Sequence, residues 1–323
     1  MAFSLPNFRN RINAHNLIAG IRVLLFVCLS GPVVYGQLGV LKHETITVGY
    51  DERDYWVYLP DHYSPLKEWP LILAFHGGKG TAKKTIKQYS FNKLADKQGF
   101  MVVYPNGINK GWNDGRIRSK KPQTSDDVKF ILALLEKLTR DYTIDSHRIF
   151  STGISNGAIF SIYLAYKIPD KILAIAPVCG SIPKNLENEF KLSIPVSAIF
   201  INGTKDKLIK YEGGPVISER ADRGEVIAVE KSVGDWVEFN GCTGPPVEKV
   251  FPDKNKKDRC TAVMKTYSSC SHSTEVVFIK IDGGGHTWPG GRQYAPRFLI
   301  GRVCRDFKAE EVIWDFFKRQ KVR

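Results

Sequence analysis

A serine between two glycines is the first group in the sequence that could do chemistry, in Gly153-Ile154-Ser155-Asn156-Gly157. The stretch before it, 147–152, is predicted to be a β-strand, and the stretch after it has the apolar spacing of a helix. The glycines permit a tight strand-to-helix turn that raises the hydroxyl above the sheet, at the positive end of the helix. Ser155 is therefore predicted to be a nucleophile for acyl transfer. The alternative is a glycine-rich turn in which the serine only caps the helix.

A serine hydroxyl attacks a carbonyl carbon only when a base takes its proton. In α/β proteins with this turn, the order along the chain is serine, then Asp or Glu, then histidine. Five of the seven histidines precede Ser155, which leaves His272 and His286. His286 lies in a glycine-rich loop after the predicted strand 275–281, whereas His272 precedes that strand and would lie at its opposite end. We therefore expect His286 to be the base.

The acid that orients the imidazole must lie on a loop after a strand, between the serine and the histidine in sequence. Asp206 is four residues past the predicted strand 195–202. No such strand leads to Asp222, Asp235 or Asp253. Asp206 is therefore the predicted acid, and its alternative role is that of a surface-turn aspartate.

An oxyanion formed at the reacting carbonyl needs two backbone N–H donors. Asn156, directly after the nucleophile, should supply one. The second should come from the loop after the predicted strand 71–76, where His76-Gly77-Gly78-Lys79-Gly80 leaves the backbone unobstructed. We predict Gly78 as this donor and a structural role for His76. The alternative is that the glycines serve only the turn.

The elements that must position these residues alternate along the chain. Apolar runs bounded by turn signals alternate with stretches of helical period, which predicts an α/β fold with a mostly parallel sheet. An antiparallel pair is expected at 44–50 and 54–60. The further predicted strands are 71–76, 100–104, 147–152, 172–178, 195–202 and 275–281.

Besides the helix after Ser155, three further helices are predicted. One carries Val128, Ile131, Leu132, Leu135 and Leu138 on one face, with Thr124 or Ser125 as its cap and two aspartates in its first turn. The others are expected at 228–239 and 309–319.

The chain of 323 residues is 43% hydrophobic, which excludes disordered, collagenous and polytopic membrane proteins. Residues 1–36 begin with arginines and no acid, continue into the apolar run 23–29 and end in small residues. This pattern predicts a signal peptide cleaved after Gly36 and a secreted protein; the alternative is a buried N-terminal helix. No linker, repeat or change of composition follows, so we expect 37–323 to form a single catalytic domain.

The net charge is +14, from 47 Lys and Arg against 33 Asp and Glu. Removal of residues 1–36, with their three arginines, would leave +11. The excess is spread over short groups, and no nucleic-acid-binding motif is present, so we expect neither a nucleic-acid partner nor stable membrane insertion. A basic surface would instead favour acidic substrates such as uronic-acid-bearing polysaccharides.

Several motifs together resemble a known family. The turn around Ser155 is joined, in order and at fitting spacings, by motifs over nearly all of 45–318: Asp126-Asp127-Val128, Asp145-Ser146-His147-Arg148-Ile149, Ala176-Pro177-Val178, Tyr104-Pro105-Asn106-Gly107 with Gly111-Trp112-Asn113, Asn240-Gly241-Cys242, and Gly284-Gly285-His286-Thr287-Trp288-Pro289-Gly290. They are similar to the secreted, LpqC-like esterases that include polyhydroxybutyrate depolymerases and feruloyl or acetylxylan esterases.

The resemblance implies an α/β-hydrolase fold and carboxylic-ester hydrolysis without a metal or cofactor. It also implies that Ser155, Asp206 and His286 are nucleophile, acid and base, and that Trp112 and Trp288 line the substrate pocket. The family often has a cysteine where this chain has Gly78. Its polymer-degrading members often carry a separate substrate-binding domain, so soluble or carbohydrate-linked esters are favoured here over polyesters.

Five cysteines follow Gly36, and none has the spacing of a zinc site. An oxidising compartment favours at least one disulfide, and the resemblance supports Cys242–Cys270. We expect Cys179 to be a buried free thiol, while a Cys260–Cys304 pairing stays open.

Two alternatives to an esterase remain at this point: a secreted serine peptidase with the same three residues, and a carbohydrate-binding protein on an inactive hydrolase scaffold. The loops 106–123 and 210–227 are expected to decide which ester is cleaved.

Overall fold

The described part of the chain begins, apart from Met1, one residue before the first strand. The computed structural model describes Met1 and residues 39–118, 124–217 and 223–322. The predicted signal peptide, 1–36, lies outside these residues except for Met1. All the elements below belong to the unit Gln37–Arg323. Among the described residues, no helix has the length and apolar character needed to cross a bilayer.

Within the described residues, twelve strands form a large sheet and a small one. Strands β1 to β12 are, in chain order, Val40–Val48, Asp51–Leu59, Trp69–Phe75, Met101–Pro105, Ile144–Ile154, Ala174–Val178, Ser197–Gly203, Gly214–Pro215, Glu225–Val226, Val247–Val250, Thr261–Tyr267 and Val276–Asp282. The large sheet has the order β1-β2-β4-β3-β5-β6-β7-β12-β11-β10, and β8 pairs with β9 separately.

The centre of the large sheet is parallel and its two ends are antiparallel. The neighbours from β4 through β3, β5, β6 and β7 to β12 all pair in parallel. Strand β2 pairs antiparallel with β1 and β4, and β11 pairs antiparallel with β10 and β12. The predicted strands are all found within a few residues of their expected bounds. Strands β10 and β11 were not predicted, because their side chains are mostly exposed or half-buried and form no continuous apolar run.

In the part of the chain that the structure describes, seven α-helices accompany the strands: α1 Ala82–Tyr89, α2 Phe91–Gln98, α3 Asp127–Asp141, α4 Asn156–Lys167, α5 Val229–Phe239, α6 Arg297–Ile300 and α7 Ala309–Lys318. Alternate residues of the buried strand β3 belong to two different apolar clusters. Leu71, Leu73 and Phe75 pack with side chains of α3, α4 and α5, whereas Ile72 and Ala74 pack with side chains of α1, α2 and α7. The helices therefore cover both faces of the sheet.

Helix α3 corrects two details of the prediction. Its N-cap is Asp126, whose side chain accepts from the Lys129 N–H, and not Thr124 or Ser125. Leu132 is exposed, and the buried face carries Phe130 and Leu134 instead. The helix begins at Asp127, one residue later than a Ser125 cap would give and two later than a Thr124 cap, and the Asp127 carboxylate is buried against Arg53.

The strand order explains why residues far apart in sequence can meet. Ser155 follows β5, Asp206 lies three residues past β7, and His286 lies four residues past β12. Since β5, β7 and β12 are parallel, their carboxyl ends lie at the same edge of the sheet. A mostly parallel sheet covered on both faces by helices is the α/β-hydrolase fold that the sequence predicts.

Candidate active site

Ser155 occupies a strained turn between β5 and α4. Its backbone has φ 61° and ψ −122°, a region that residues with a side chain seldom adopt. A Cβ at Gly153 would lie 2.7 Å from the Phe75 carbonyl oxygen, and one at Gly157 would lie 2.6 Å from the carbonyl oxygens of Phe75 and His76. Only glycine fits at these two positions, because the turn packs directly against the end of β3.

His286 and Asp206 form a buried pair. The Nδ1 atom of His286 lies 2.7 Å from Oδ2 of Asp206, and each side chain is only 2% exposed. The other carboxylate oxygen of Asp206 accepts from the N–H groups of Leu208 and Ile209, at 2.8 and 2.9 Å. A carboxylate that only accepts requires the proton on Nδ1, so Nε2 of His286 is left as the basic nitrogen.

Ser155 and His286 line the same groove, which has a volume of about 1040 Å³. Asn156, His76, Gly77 and Gly78 also line it. The volume is at the upper end of the range for small-molecule sites. The structure therefore brings the predicted nucleophile and base to one surface.

The predicted oxyanion donors lie side by side in this groove. A Cβ on Gly78 would be 3.9 Å from the Asn156 Cβ, and one on Gly77 would be 3.5 Å from the Ser155 Cβ. Asn156 is the first residue of α4, and the first N–H groups of a helix have no partner within the helix. Its side chain is held by Trp112, accepting from the Trp112 N–H at 2.8 Å and donating to the Trp112 carbonyl at 3.0 Å.

His76 stabilises the glycine loop. Its Nδ1 atom is 2.8 Å from the Gly77 carbonyl oxygen, and its Nε2 atom accepts from the Gly107 N–H at 3.0 Å. Burial lowers the pKa of His76 to about 4. A neutral imidazole whose two nitrogens both bond to the main chain connects two loops of the groove, which agrees with the structural role expected for this residue.

Tyr89 is a site residue that the sequence did not reveal. Its hydroxyl donates to the Phe75 carbonyl at 3.0 Å and accepts from the Ile154 N–H at 2.9 Å. Phe75 ends β3, and Ile154 ends β5 immediately before Ser155. The hydroxyl group thus joins the strand that leads to the glycine loop to the strand that leads to the nucleophile. No motif marks such a residue, since the bonds run from a helix side chain to main-chain atoms distant in sequence.

The structure corrects the expectation that Trp112 and Trp288 line the substrate pocket. Both side chains are completely buried, and neither is among the residues that line the groove. Trp112 packs against Phe75 and Phe160, and its Nε1 donates to the His76 carbonyl. Because the two indoles lie beneath the loops of the site, they support those loops and do not meet a ligand.

Cys179 lies beside the His286–Asp206 pair. One ligand atom from each of these three side chains falls within 4.8 Å of the others. The Cys179 thiol donates toward the Thr287 carbonyl at 3.5 Å, and burial together with the Asp206 carboxylate raises its pKa well above the usual range. The thiol is protonated, and the imidazole and the carboxylate are already hydrogen-bonded to each other. These three groups therefore do not fit a metal ion.

The four other cysteines that the structure describes are also buried or bonded. Cys242 and Cys270 form a disulfide with a sequence separation of 28. It joins the segment after α5 to the segment before β12. Cys260 and Cys304 are buried free thiols. They are in contact, and the hydrogen bond between them raises the pKa of Cys304.

Comparison with known proteins shows what the chain resembles. A model of the family described as "Esterase PHB depolymerase" matches residues 53–187. NocK of Nocardia uniformis subsp. tsuyamanensis, which is named as an esterase, is 27% identical over 256 residues, 76% of this chain and 73% of NocK. Feruloyl esterase C of Emericella nidulans is 27% identical over 287 residues, 86% of this chain and 90% of that protein.

One solved structure supports the fold. The acetyl xylan esterase from Aspergillus awamori superposes with a TM-score of 0.51 and 14% identity, over 76% of this chain and 94% of that chain. Two other fungal relatives are longer proteins, and this chain matches 31% and 43% of their lengths. The chain is thus similar to polyhydroxybutyrate depolymerases and feruloyl esterases, and these relatives support a carboxylic-ester hydrolase.

Proposed function

We propose that this protein is a secreted serine esterase that uses Ser155, Asp206 and His286 and forms an acyl-enzyme. The observation that carries the proposal is the hydrogen bond of 2.7 Å between His286 Nδ1 and Asp206 Oδ2, behind a groove that Ser155 also lines. That bond fixes the imidazole with its basic nitrogen free to act, which a serine nucleophile requires. Residues 37–323 are proposed to form one catalytic domain, and residues 1–36 a cleaved signal peptide.

The first half of the reaction forms the acyl-enzyme. His286 Nε2 takes the proton of the Ser155 hydroxyl as Oγ attacks the ester carbonyl carbon. The negative charge that develops on the carbonyl oxygen is stabilised by the N–H groups of Asn156 and Gly78. The tetrahedral intermediate collapses, the bond to the alcohol oxygen breaks, and His286 gives its proton to the departing alcohol.

The second half releases the acid. His286 takes a proton from water as the water oxygen attacks the carbonyl carbon of the acyl group that is bonded to Ser155 Oγ. When the bond to Oγ breaks, His286 returns the proton to the serine and the carboxylic acid leaves. No cofactor enters either half, and Asp206 stabilises the imidazolium in both.

The proposed substrates are carboxylic esters of the kind named in the relatives, which include feruloyl esterases and an acetylxylan esterase. Small aryl esters and hydroxyalkanoates belong to the same chemical class. No nucleic-acid partner is proposed.

The decisive experiment replaces the nucleophile. Ser155→Ala should abolish hydrolysis of p-nitrophenyl butyrate and labelling by a fluorophosphonate, while the circular dichroism spectrum is unchanged. Mass spectrometry of the labelled wild type should place the phosphonate on Ser155. Ser268→Ala, which changes an exposed serine, is the matched control and should retain both properties. Turnover by Ser155→Ala, or a label on another residue, would refute the assignment.

Two further measurements separate the alternatives. Peptide p-nitroanilides assayed beside p-nitrophenyl esters distinguish an esterase, which should cleave only the esters, from a peptidase. N-terminal sequencing of the protein exported by an expression host should begin at Gln37. Retention of the intact chain inside the cells would contradict the proposed signal peptide.

A further inference from the structure

The groove around Ser155 is strongly positive. Eight lysine and arginine side chains line it, and no Asp or Glu is found among its lining residues in the part of the chain that the structure describes. Five of the eight are exposed: Lys79, Lys84, Lys87, Lys207 and Arg292. Such a lining raises the local concentration of anions and their rate of association.

Three arginines form the less exposed part of this lining: Arg116, Arg118 and Arg223. Arg116 binds Asp114 through Nη2 at 2.6 Å, and Nη2 of Arg118 lies 3.6 Å from the other oxygen of the same carboxylate. Arg116 Nη1 and Arg118 Nε are buried and have no hydrogen-bond partner among the described residues. One carboxylate therefore serves two guanidinium groups whose hydrogen-bonding capacity is not filled.

The electrostatics of the cluster agree with its geometry. Burial lowers the pKa of Arg118, the Asp114 carboxylate raises it, and the charges of Arg116 and Arg223 lower it again. Three cations thus lie close enough to influence one another, and Asp114 is the partner of Arg116 and Arg118. A bound anion would offset this repulsion and the cost of burying the two guanidinium groups.

The arginine cluster is linked by hydrogen bonds, through Asp114, to the residue after the nucleophile. Asp114 accepts from the side-chain amide of Asn156 at 2.6 Å with the same oxygen that binds Arg116. Asn156 in turn adjoins Ser155. An anion held by these arginines would therefore lie in the same groove as an ester at Ser155.

We propose that the groove selects esters that carry a carboxylate, which Arg116, Arg118 and Arg223 bind while Ser155 attacks the ester carbonyl. The planar guanidinium fork matches a carboxylate in two-point hydrogen bonding. The inference rests on the proposed esterase function and specifies its substrate class. The carboxylate belongs either to the acyl part, as in the half-ester of a dicarboxylic acid, or to the alcohol part, as in an esterified uronic acid.

Paired substrates test the proposal. Mono-p-nitrophenyl succinate and p-nitrophenyl butyrate have the same leaving group and nearly the same size, and they differ in a terminal carboxylate against a methyl group. Acetylated methyl glucuronoside and acetylated methyl glucoside form the pair for the alcohol side. The wild type should have the higher kcat/KM for the anionic member of at least one pair. That preference should shrink as salt is raised, because ions screen the attraction.

Variants identify the residues. Arg118→Gln should lower the ratio of anionic to neutral kcat/KM by about tenfold, the size of one lost charge-assisted hydrogen bond. Arg223 is half-buried. Arg223→Gln should lower the same ratio, and it provides a second variant if Arg118→Gln does not fold. Lys256→Gln removes an exposed charge outside the groove and should leave the ratio unchanged.

The outcomes separate this inference from the proposed function. Hydrolysis of the neutral esters without an anionic preference in either pair overturns the inference and leaves the esterase intact. Hydrolysis of no ester in either pair overturns both. An anionic preference that survives both arginine substitutions overturns the assignment of the carboxylate to this cluster.

Discussion

The indole ring of Trp288 stacks on the phenol ring of Tyr89, with ring centroids 3.7 Å apart and planes 8° apart. Trp288 lies two residues after His286, and the Tyr89 hydroxyl bonds to the main chain immediately before Ser155. One buried aromatic contact therefore connects the loop of the proposed base to the turn of the proposed nucleophile. Trp288 therefore supports the loop of His286 although it has no surface in the groove.

Tyr89→Phe keeps the stacked ring and removes only the hydroxyl. The Phe75 carbonyl and the Ile154 N–H then lose this partner, and we expect a loss of about 1–3 kcal/mol in the free energy of unfolding. We also expect kcat to fall by roughly tenfold, because small displacements of a nucleophile are costly. Urea denaturation and steady-state kinetics with p-nitrophenyl butyrate measure the two effects.

A matched control separates position from stability. Tyr104→Phe also removes a buried tyrosine hydroxyl, one that donates to Asn92 at 2.6 Å. It should cost similar stability and leave kcat near the wild-type value. An equal fall of kcat in both variants would show that Tyr89 acts only through general stability.

Asp206→Asn tests the pair behind the groove. An asparagine in this position can donate to Nδ1 and so favours the imidazole tautomer with its proton on Nε2, where the base must accept one. We expect kcat to fall by about 10³–10⁴-fold with little change in fold. Asp282→Asn changes an exposed aspartate that binds Thr204 and should keep normal activity. An Asp206→Asn enzyme with more than a tenth of wild-type kcat would remove Asp206 from the mechanism.

The arrangement of Ser155, Asp206 and His286 could be predicted because each follows a strand that the sequence marks clearly. Strands β5, β7 and β12 are apolar runs ending in turn residues, and the parallel topology converts their order into proximity at one edge. The fold could be predicted for the same reason. The half-exposed strands β10 and β11 lack the apolar run, so they could not.

Side-chain contacts between distant segments could not be predicted from the sequence. Tyr89 contacts the Ile154 N–H 65 residues away, and Asp114 meets Asn156 42 residues away, with no motif at either end. The family resemblance assigned Trp112 to the pocket, whereas the fold buries it between Phe75 and Phe160. A sequence motif therefore indicates that a residue lies near a site, but it does not tell whether the side chain faces the groove or packs in the core beneath it.

His76 predicts a specific dependence of stability on pH. Its folded pKa of about 4 is below the ordinary value of 6.5, because burial favours the neutral ring. The contribution of neutral His76 to the free energy of unfolding is therefore complete above pH 6.5, and it is lost as pH falls from 6.5 toward about 4. Its size is roughly 3 kcal/mol. Urea denaturation across this range should show the loss in the wild type.

The slope can be assigned to His76 by substitution. His76→Gln should be less stable than the wild type at pH 7 and should have a flatter dependence between pH 6.5 and 4. His62→Gln alters a half-exposed histidine and should keep the wild-type slope. An unchanged slope in His76→Gln would mean that other groups cause the acid sensitivity.

The disulfide between Cys242 and Cys270 should stabilise the region that leads to His286. Its closed loop has a sequence separation of 28, for which chain entropy gives roughly 3–4 kcal/mol. The double variant Cys242→Ser/Cys270→Ser should lose about this much in urea denaturation and keep its kcat at 25 °C, because the bond lies far along β12 from the groove. Reducing agent should destabilise the wild type by the same amount and have no effect on the double variant. If reductant destabilises the double variant as well, the stabilising bond is a different one, and Cys260 with Cys304, the other pair in contact, becomes the candidate to test.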